Sequence, residues 1–442
     1  MFSLSRIQRR GGRRTALLCK IALIPVLTCG GTTLLLAEHW LGEEVQVDGV
    51  LHVKNPHTAI EAPLTIQPRQ LWHIGTEDGE DDLVLGRILA VETDRDGNAY
   101  LLDNTYSTVR VVAPDGTYQG DLGREGEGPG EFRNPMRMVL MPDGKVAVVQ
   151  MMPSKIVLLE PDGLPAGTFP LPGESRMRFL DLLAASADMV VLSFTEASLG
   201  EGGSVITHQL LTLDQDGTVQ HVLCEKKEEQ SGPGLSLNLG GGDSGFLNNW
   251  VLGDDGRVYV TEFYDKYEIQ VFGKDGQLDR IIERQYDSLK HPREVYEELK
   301  AQQEDLPTFS DNVEVSEVNP YARDIRQLIP RPGGTLWVAS SEGGQERSAG
   351  QLGLFDEYDA AGRFQRQIKI EADYDWDRDR YVVEGNHLFI LKEVQNAPAT
   401  TSTSGGGGMQ MVMISGGRSS SDDDDEDPGE DAPFSVICYE LP

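Results

Sequence analysis

The sequence predicts an all-β fold, a six-bladed β-propeller of four-stranded antiparallel blades. Three observations predict it. An apolar stretch, an Asp-Gly or Gly-Gly pair and a second apolar stretch recur along the chain. These hairpins come two at a time, with 47 residues from Asp96 to Asp143 and again from Asp115 to Asp162. Finally, a strand-like segment at 69–75 (Arg-Gln-Leu-Trp-His-Ile-Gly) precedes the first unit, and the last unit lacks its outermost strand.

The hairpins follow from turn chemistry. Asp-Gly and Gly-Gly supply the positive φ angles of tight turns between β-branched and aromatic runs. One set of turns is Asp96-Gly97, Asp143-Gly144, Asp255-Gly256 and Gly333-Gly334. A second set interleaves with it at Asp115-Gly116, Asp162-Gly163, Asp216-Gly217, Asp275-Gly276 and Ala361-Gly362. Two hairpins in series give four strands, the size of one blade. The units span 87–123, 134–169, 179–225, 247–283 and 324–370, and a sixth is split into 380–393 and 434–441. Pairing of 69–75 beside 434–441 would close the ring and tie the two ends of the chain into one blade, removing exposed sheet edges.

The remaining chain is organised around this body. Residues 1–37 form an export signal or membrane anchor: Arg6, Arg9, Arg10, Arg13 and Arg14 precede an apolar run at 15–37. A basic flank, an apolar run and then an acidic body is the order of such leaders. Arg13-Arg14 is a loose twin-arginine pattern, and Val26-Leu27-Thr28-Cys29 is an imperfect lipoprotein box. Cleavage and retention both stay open. Residues 38–68 read as an N-terminal linker, and 69–442 as the propeller. Residues 286–317 interrupt the rhythm with helical composition, Pro292 opening it and Val295, Tyr296 and Leu299 sharing a face. Residues 226–245 read as a flexible Gly/Ser-rich loop. Residues 396–433 carry four consecutive glycines and the acidic run 422–427, and read as a disordered acidic loop.

Charge narrows the partners. The net charge is −33, and beyond the first 20 residues 72 acids face 33 bases, a net of −39. Such a surface repels nucleic acid and anionic lipid, so no nucleic-acid partner is expected, and membrane contact only through the N-terminal segment. The four cysteines are Cys19, Cys29, Cys224 and Cys438. The last two fall in strands of distant blades, too far apart to form a disulfide.

One segment matches a known repeat. Gly123-Arg124-Glu125-Gly126-Glu127-Gly128-Pro129-Gly130-Glu131-Phe132, followed by Pro135 and the Asp143-Gly144 hairpin, resembles the inter-blade signature of NHL-repeat six-bladed propellers. Tyr100-Leu101-Leu102-Asp103 with Val109-Arg110-Val111-Val112 resembles the middle of the same repeat. The match is close over the first two units, about 80 residues, and loose beyond. The resemblance implies the fold. It also implies either a ligand- or protein-binding propeller or, by way of more distant relatives, a lyase or lactonase with a metal in the central channel. In the structural reading, the glycines turn the chain between blades, Pro129 fixes φ, Phe132 buries between blades, and Asp103 and Arg110 orient the strand connection.

A search for chemistry assigns no catalytic, cofactor-binding or metal-ligating residue. The eight histidines (His39, His52, His57, His73, His208, His221, His291 and His387) are scattered without an HxH or HExxH spacing. Gly242-Asp243-Ser244-Gly245 sits in a glycine-rich loop, and Gly200, Gly202 and Gly203 lack the strand and helix that a phosphate cradle needs. The acidic run lacks calcium-loop spacing. The leading expectation is an exported, monomeric propeller that binds an unknown protein or small ligand through its ring face, with no catalytic activity evident. The alternative is a metal-dependent lyase or lactonase with its site in the central channel. The cofactor is unknown, and the location is extracytoplasmic: periplasmic, secreted or anchored by the N-terminal segment.

Overall fold

The computed structural model describes residues 40–75, 83–150, 153–173, 178–200, 203–231, 246–247, 249–304, 318–344, 348–394 and 434–442, with two three-residue strands at Thr401–Thr403 and Val412–Ile414. The leader, most of the acidic loop, and the Gly242–Ser244 motif lie outside the described residues.

The chain forms a six-bladed β-propeller. The innermost strands of blades one to six are Ile88–Thr93, Pro135–Leu140, Arg178–Ala185, Trp250–Leu252, Ile325–Arg331 and Arg380–Glu384. In blades one to five each is followed outward by its next three strands in chain order. Local chemistry sets the hairpins. Asp94 Oδ1 accepts the backbone N–H groups of Asp96 and Asn98 at 2.9 Å each, and Gly97 takes φ +84°. Asp214 and Asp359 repeat this arrangement before Gly217 and Gly362. A short carboxylate that bonds its own backbone two residues on fixes the turn without help from the rest of the fold.

The ring closes as the sequence predicts. Val436–Glu440 is hydrogen-bonded between His387–Leu391 and Arg69–Ile74, so the last blade contains both chain ends of the ring. Phe132 is fully buried between blade one (Tyr100, Leu102, Leu122) and blade two (Met138, Val146, Val148). Gly123, at φ +70°, lets the chain pass so close that an added Cβ would lie 2.5 Å from the Phe132 ring. Asp103 is completely buried; it accepts Gly86 N–H at 2.9 Å and Tyr106 N–H at 3.2 Å, and meets Arg110 Nε at 3.4 Å. Asp103 and Arg110 therefore hold the strand connection.

Three sequence expectations need correction, and the helical insertion forms as expected. Residues 38–68 are not a linker. Glu43–Val47 and Val50–Asn55 form a hairpin, and Val50–Asn55 runs parallel to the outer strand of blade four, Leu278–Arg284. Leu64–Ile66 runs parallel to the outer strand of blade five, Phe364–Glu371. The hairpin turn is Asp48-Gly49, at φ +50° and +89°, the same signal used for the blades. Next, residues 226–231 do not begin a loop; they complete the 13-residue strand Val219–Ser231, held by an unusually long partner, Gly203–Leu213. Gly200 pairs with Gly203 at the tip of the preceding hairpin, between Val190–Gly200 and Gly203–Leu213. Within 286–317 the helix is α1, Arg293–Glu304, beginning one residue after Pro292; Val295, Tyr296 and Leu299 are half-buried. Within 396–433, Thr401–Thr403 pairs antiparallel with Val412–Ile414, so that stretch is not uniformly without structure. Cys224 and Cys438 are free, in blades three and six, and burial pushes both thiols up to about 12. Among the described residues no helix is long and apolar enough to cross a membrane.

Candidate functional site

The first residues of the six inner strands set the geometry of the axis. Successive outward strands alternate in direction, so the inner strands all enter from the same side. In blades one, two, three and five the inner strand slips register near its start, at Leu89, Met136, Asp181 and Arg326. A bulge leaves one residue outside the ladder and re-aims its side chain. All four bulge residues are half-buried. In blades three and five the re-aimed residue is charged.

Between the inner strands lies a cavity of about 480 Å³, to which all six blades contribute. Much of its wall is apolar, with Val139, Ala184, Val251 and Val383. Its two ends differ in charge. At the finishing end of the strands, Glu92, Asp254 and Glu384 line the wall. Burial, and then the charge of Glu384, push the Glu92 carboxyl well above the ordinary range, although it accepts a hydrogen bond from the Leu140 backbone. Burial, and then the charge of Asp254, push Glu384 up to about 7, against the pull of Arg331. Both glutamates line the cavity, where burial strips hydration from their ionised forms while each stands next to like charge.

The starting end is basic. Arg326 lines the cavity. Its guanidinium lies 5.3 Å over the Trp376 ring and beside the Tyr381 hydroxyl, and its Nε is buried without a hydrogen-bond partner. Arg87, Arg137 and Arg380 cluster at the same end. Burial, and then the charge of Arg380, pull the Arg87 and Arg137 guanidinium groups below the usual arginine range, where they stay charged. Asp181 is the acid among them. Burial pushes it up to about 7, opposed by the Thr195 hydroxyl and by Arg137.

The sequence search missed this arrangement. None of the described histidines lines the cavity. His52 meets Glu283 on an outer strand at 3.4 Å, His73 bonds Ser435 Oγ at 3.0 Å, and His208 bonds Thr195 Oγ1 at 3.0 Å. Among the described residues no group of three or more His, Cys, Asp or Glu side chains is placed to hold a metal ion. A weak signal for Glu92 did exist. At its position in the inner hairpin, blades two, three and four carry Val139, Ala184 and Val251.

The carboxyls carry a pH prediction. Glu384 holds its proton to about 7 in the fold and to about 4 when unfolded. The folded chain therefore binds more protons over that window, and its stability falls as pH rises from about 4 to about 7. Glu384→Gln is expected to raise the thermal midpoint at pH 8 and to leave it nearly unchanged at pH 5. Melts followed by circular dichroism at the two pH values check this; an equal shift at both would show that Glu384 is not held protonated.

No family model matches the chain, and no curated protein matches it. Solved structures similar to it include a member of the duf4221 family from Bacteroides vulgatus, at 11% identity and a TM-score of 0.43 over 85% of this chain and 95% of the other. The virginiamycin B lyase of Staphylococcus aureus is similar at 11% identity and a TM-score of 0.36, over 71% of this chain and 95% of the lyase. The PQQ-bound aldose sugar dehydrogenase of Streptomyces coelicolor is similar at 15% identity and a TM-score of 0.37, over 80% and 95% of the two chains.

Proposed function

We propose that this chain is an exported propeller that binds a small ligand in its axial cavity and does not transform it. The observation that carries this reading is the cavity itself. At about 480 Å³ it falls in the range of small-molecule pockets, with an apolar wall and a few charged groups at defined places. Export is supported by the basic and then apolar order of residues 1–37. The NHL-like segment at 123–132 supports a binding role by resemblance. A metal-dependent lyase or lactonase would need several ligands meeting on the axis, and the described residues offer no such group.

The test uses Ala184, a small residue on the wall of the cavity. Ala184→Trp would fill the cavity while leaving the outer ring surfaces as they are. A panel of small soluble metabolites is screened by thermal shift against both chains. The expected result is at least one compound that raises the wild-type midpoint by about 2 °C or more and leaves the folded Ala184→Trp chain unmoved. Compounds that stabilise both chains equally would place binding elsewhere and sink the axial reading.

A further inference from the structure

We propose that the axial cavity takes a short zwitterionic peptide, its carboxylate toward Arg326 and its ammonium group toward Glu384 and Asp254. This rests on the axial-binding reading and narrows it to one chemical class.

Three observations carry the inference. The first is polarity. The same cavity is lined by Arg326 at one end and by Glu92, Asp254 and Glu384 at the other. A simple anion would meet the carboxyls, and a simple cation would meet Arg326 and, beyond it, the field of Arg137 and Arg380. A ligand carrying both charges satisfies both ends.

The second observation is that Arg326 is held ready. Its Nε is buried without a hydrogen-bond partner, and Trp376 and Tyr381 flank the guanidinium. An arginine so placed matches a carboxylate in geometry and charge.

The third is length. Tyr381, beside Arg326, stands three residues before Glu384 on one strand. At a rise of about 3.3 Å per residue the two ends are about 10 Å apart, the span of an extended tripeptide. The apolar wall, with Val139, Ala184, Val251 and Val383, suits small aliphatic side chains. The amide of Gln327, on the same wall and exposed to the cavity, can bond the peptide backbone.

Calorimetric titration of the purified chain with Ala-Ala-Ala, its N-acetyl derivative and its C-terminal amide tests this. The free tripeptide is expected to bind, and blocking either end to weaken it by about 30-fold or more, as the loss of one partner in a buried charge pair does. Arg326→Met should reduce the free tripeptide to the affinity of the amide and leave the amide itself unchanged, which also shows that the variant is folded. Glu384→Gln should do the same with respect to the N-acetyl form. As a measurement that needs no variant, affinity for the free tripeptide should rise from pH 5.5 to pH 7.5 as Glu384, facing Glu92, Asp254 and Arg331, ionises, while affinity for the N-acetyl form should not. If the blocked peptides bind as well as the free one, the zwitterion proposal falls and axial binding stands. If none of the three binds while the metabolite panel yields a ligand sensitive to Ala184→Trp, the proposal falls in the same way. If no probe is sensitive to Ala184→Trp, both readings fall.

Discussion

Deleting residues 434–442 is expected to abolish cooperative unfolding altogether. Val436–Glu440 is the only link in the last blade between His387–Leu391 and Arg69–Ile74. Its side chains serve two separate cores. Ile437, Tyr439 and Leu441 pack with Phe355, Ile368 and Leu388 on the side of blade five. Val436 and Cys438 pack with Trp72, Val91 and Leu101 on the side of blade one. Fully burying an aliphatic or aromatic side chain contributes about 1.5–3 kcal/mol. The four such residues here, Val436, Ile437, Tyr439 and Leu441, contribute about 6–12 kcal/mol, as much as the whole net stability of a typical domain. The measurement is a thermal or urea melt by circular dichroism, with removal of exposed Pro442 alone as the control. A truncated chain that still melts in one sharp transition near the full-length midpoint would show that five blades and a remnant can hold the ring.

Asp356→Ala is expected to cost about 3–5 kcal/mol of stability, the penalty for leaving a buried charge without its partner. Asp356, on the third strand of blade five, and Arg284, at the end of the outer strand of blade four, are each 1% exposed and meet at 2.5 Å. Asp356 also accepts the Tyr267 hydroxyl at 2.7 Å and the Gln367 amide at 3.2 Å. Arg284 stands 4.5 Å over the Phe364 ring and donates to His57 O at 3.3 Å. The pair therefore fastens two blades and the N-terminal strap at one point. Removing the acid leaves the guanidinium in its aromatic cage with only the longer contact to Glu342, at 3.5 Å. Replacing both, Asp356→Leu with Arg284→Met, is expected to recover most of the loss, because a buried ion pair and an apolar pair of similar volume differ little in net energy. Urea denaturation of the single and double variants checks this. A double variant as unstable as Asp356→Ala would show that packing around Tyr267 and Phe364, rather than the unpaired charge, sets the cost.

The two ends of the axial cavity illustrate where sequence reasoning stopped. Glu92 and Glu384 belong to the first and last blades, and each is an ordinary glutamate in an ordinary hairpin. In a chain with 72 acids, only the apolar residues at the equivalent positions of blades two to four mark Glu92, and nothing marks Glu384. Arg326 was equally anonymous, because its direction depends on a register slip between Ile325 and Gln327 that leaves no mark in composition. The N-terminal strap fell between these cases. Its Asp48-Gly49 turn was legible, but its parallel docking on Leu278–Arg284 was not, because a parallel partner is set by surfaces more than two hundred residues away.

By itself the sequence determined the all-β class, the six repeats, the hairpin turns and the closure of the ring by 69–75. These follow from local turn chemistry, from strand periodicity and from the need of every inner edge to find a partner. Only the tertiary structure decided which charged side chains share the axis, which end is acidic and which basic, and which buried pair locks blades four and five. Those depend on which residues face inward once the strands curl into a ring. Direction toward the axis is a property of the closed ring and of its bulges, not of any segment taken alone.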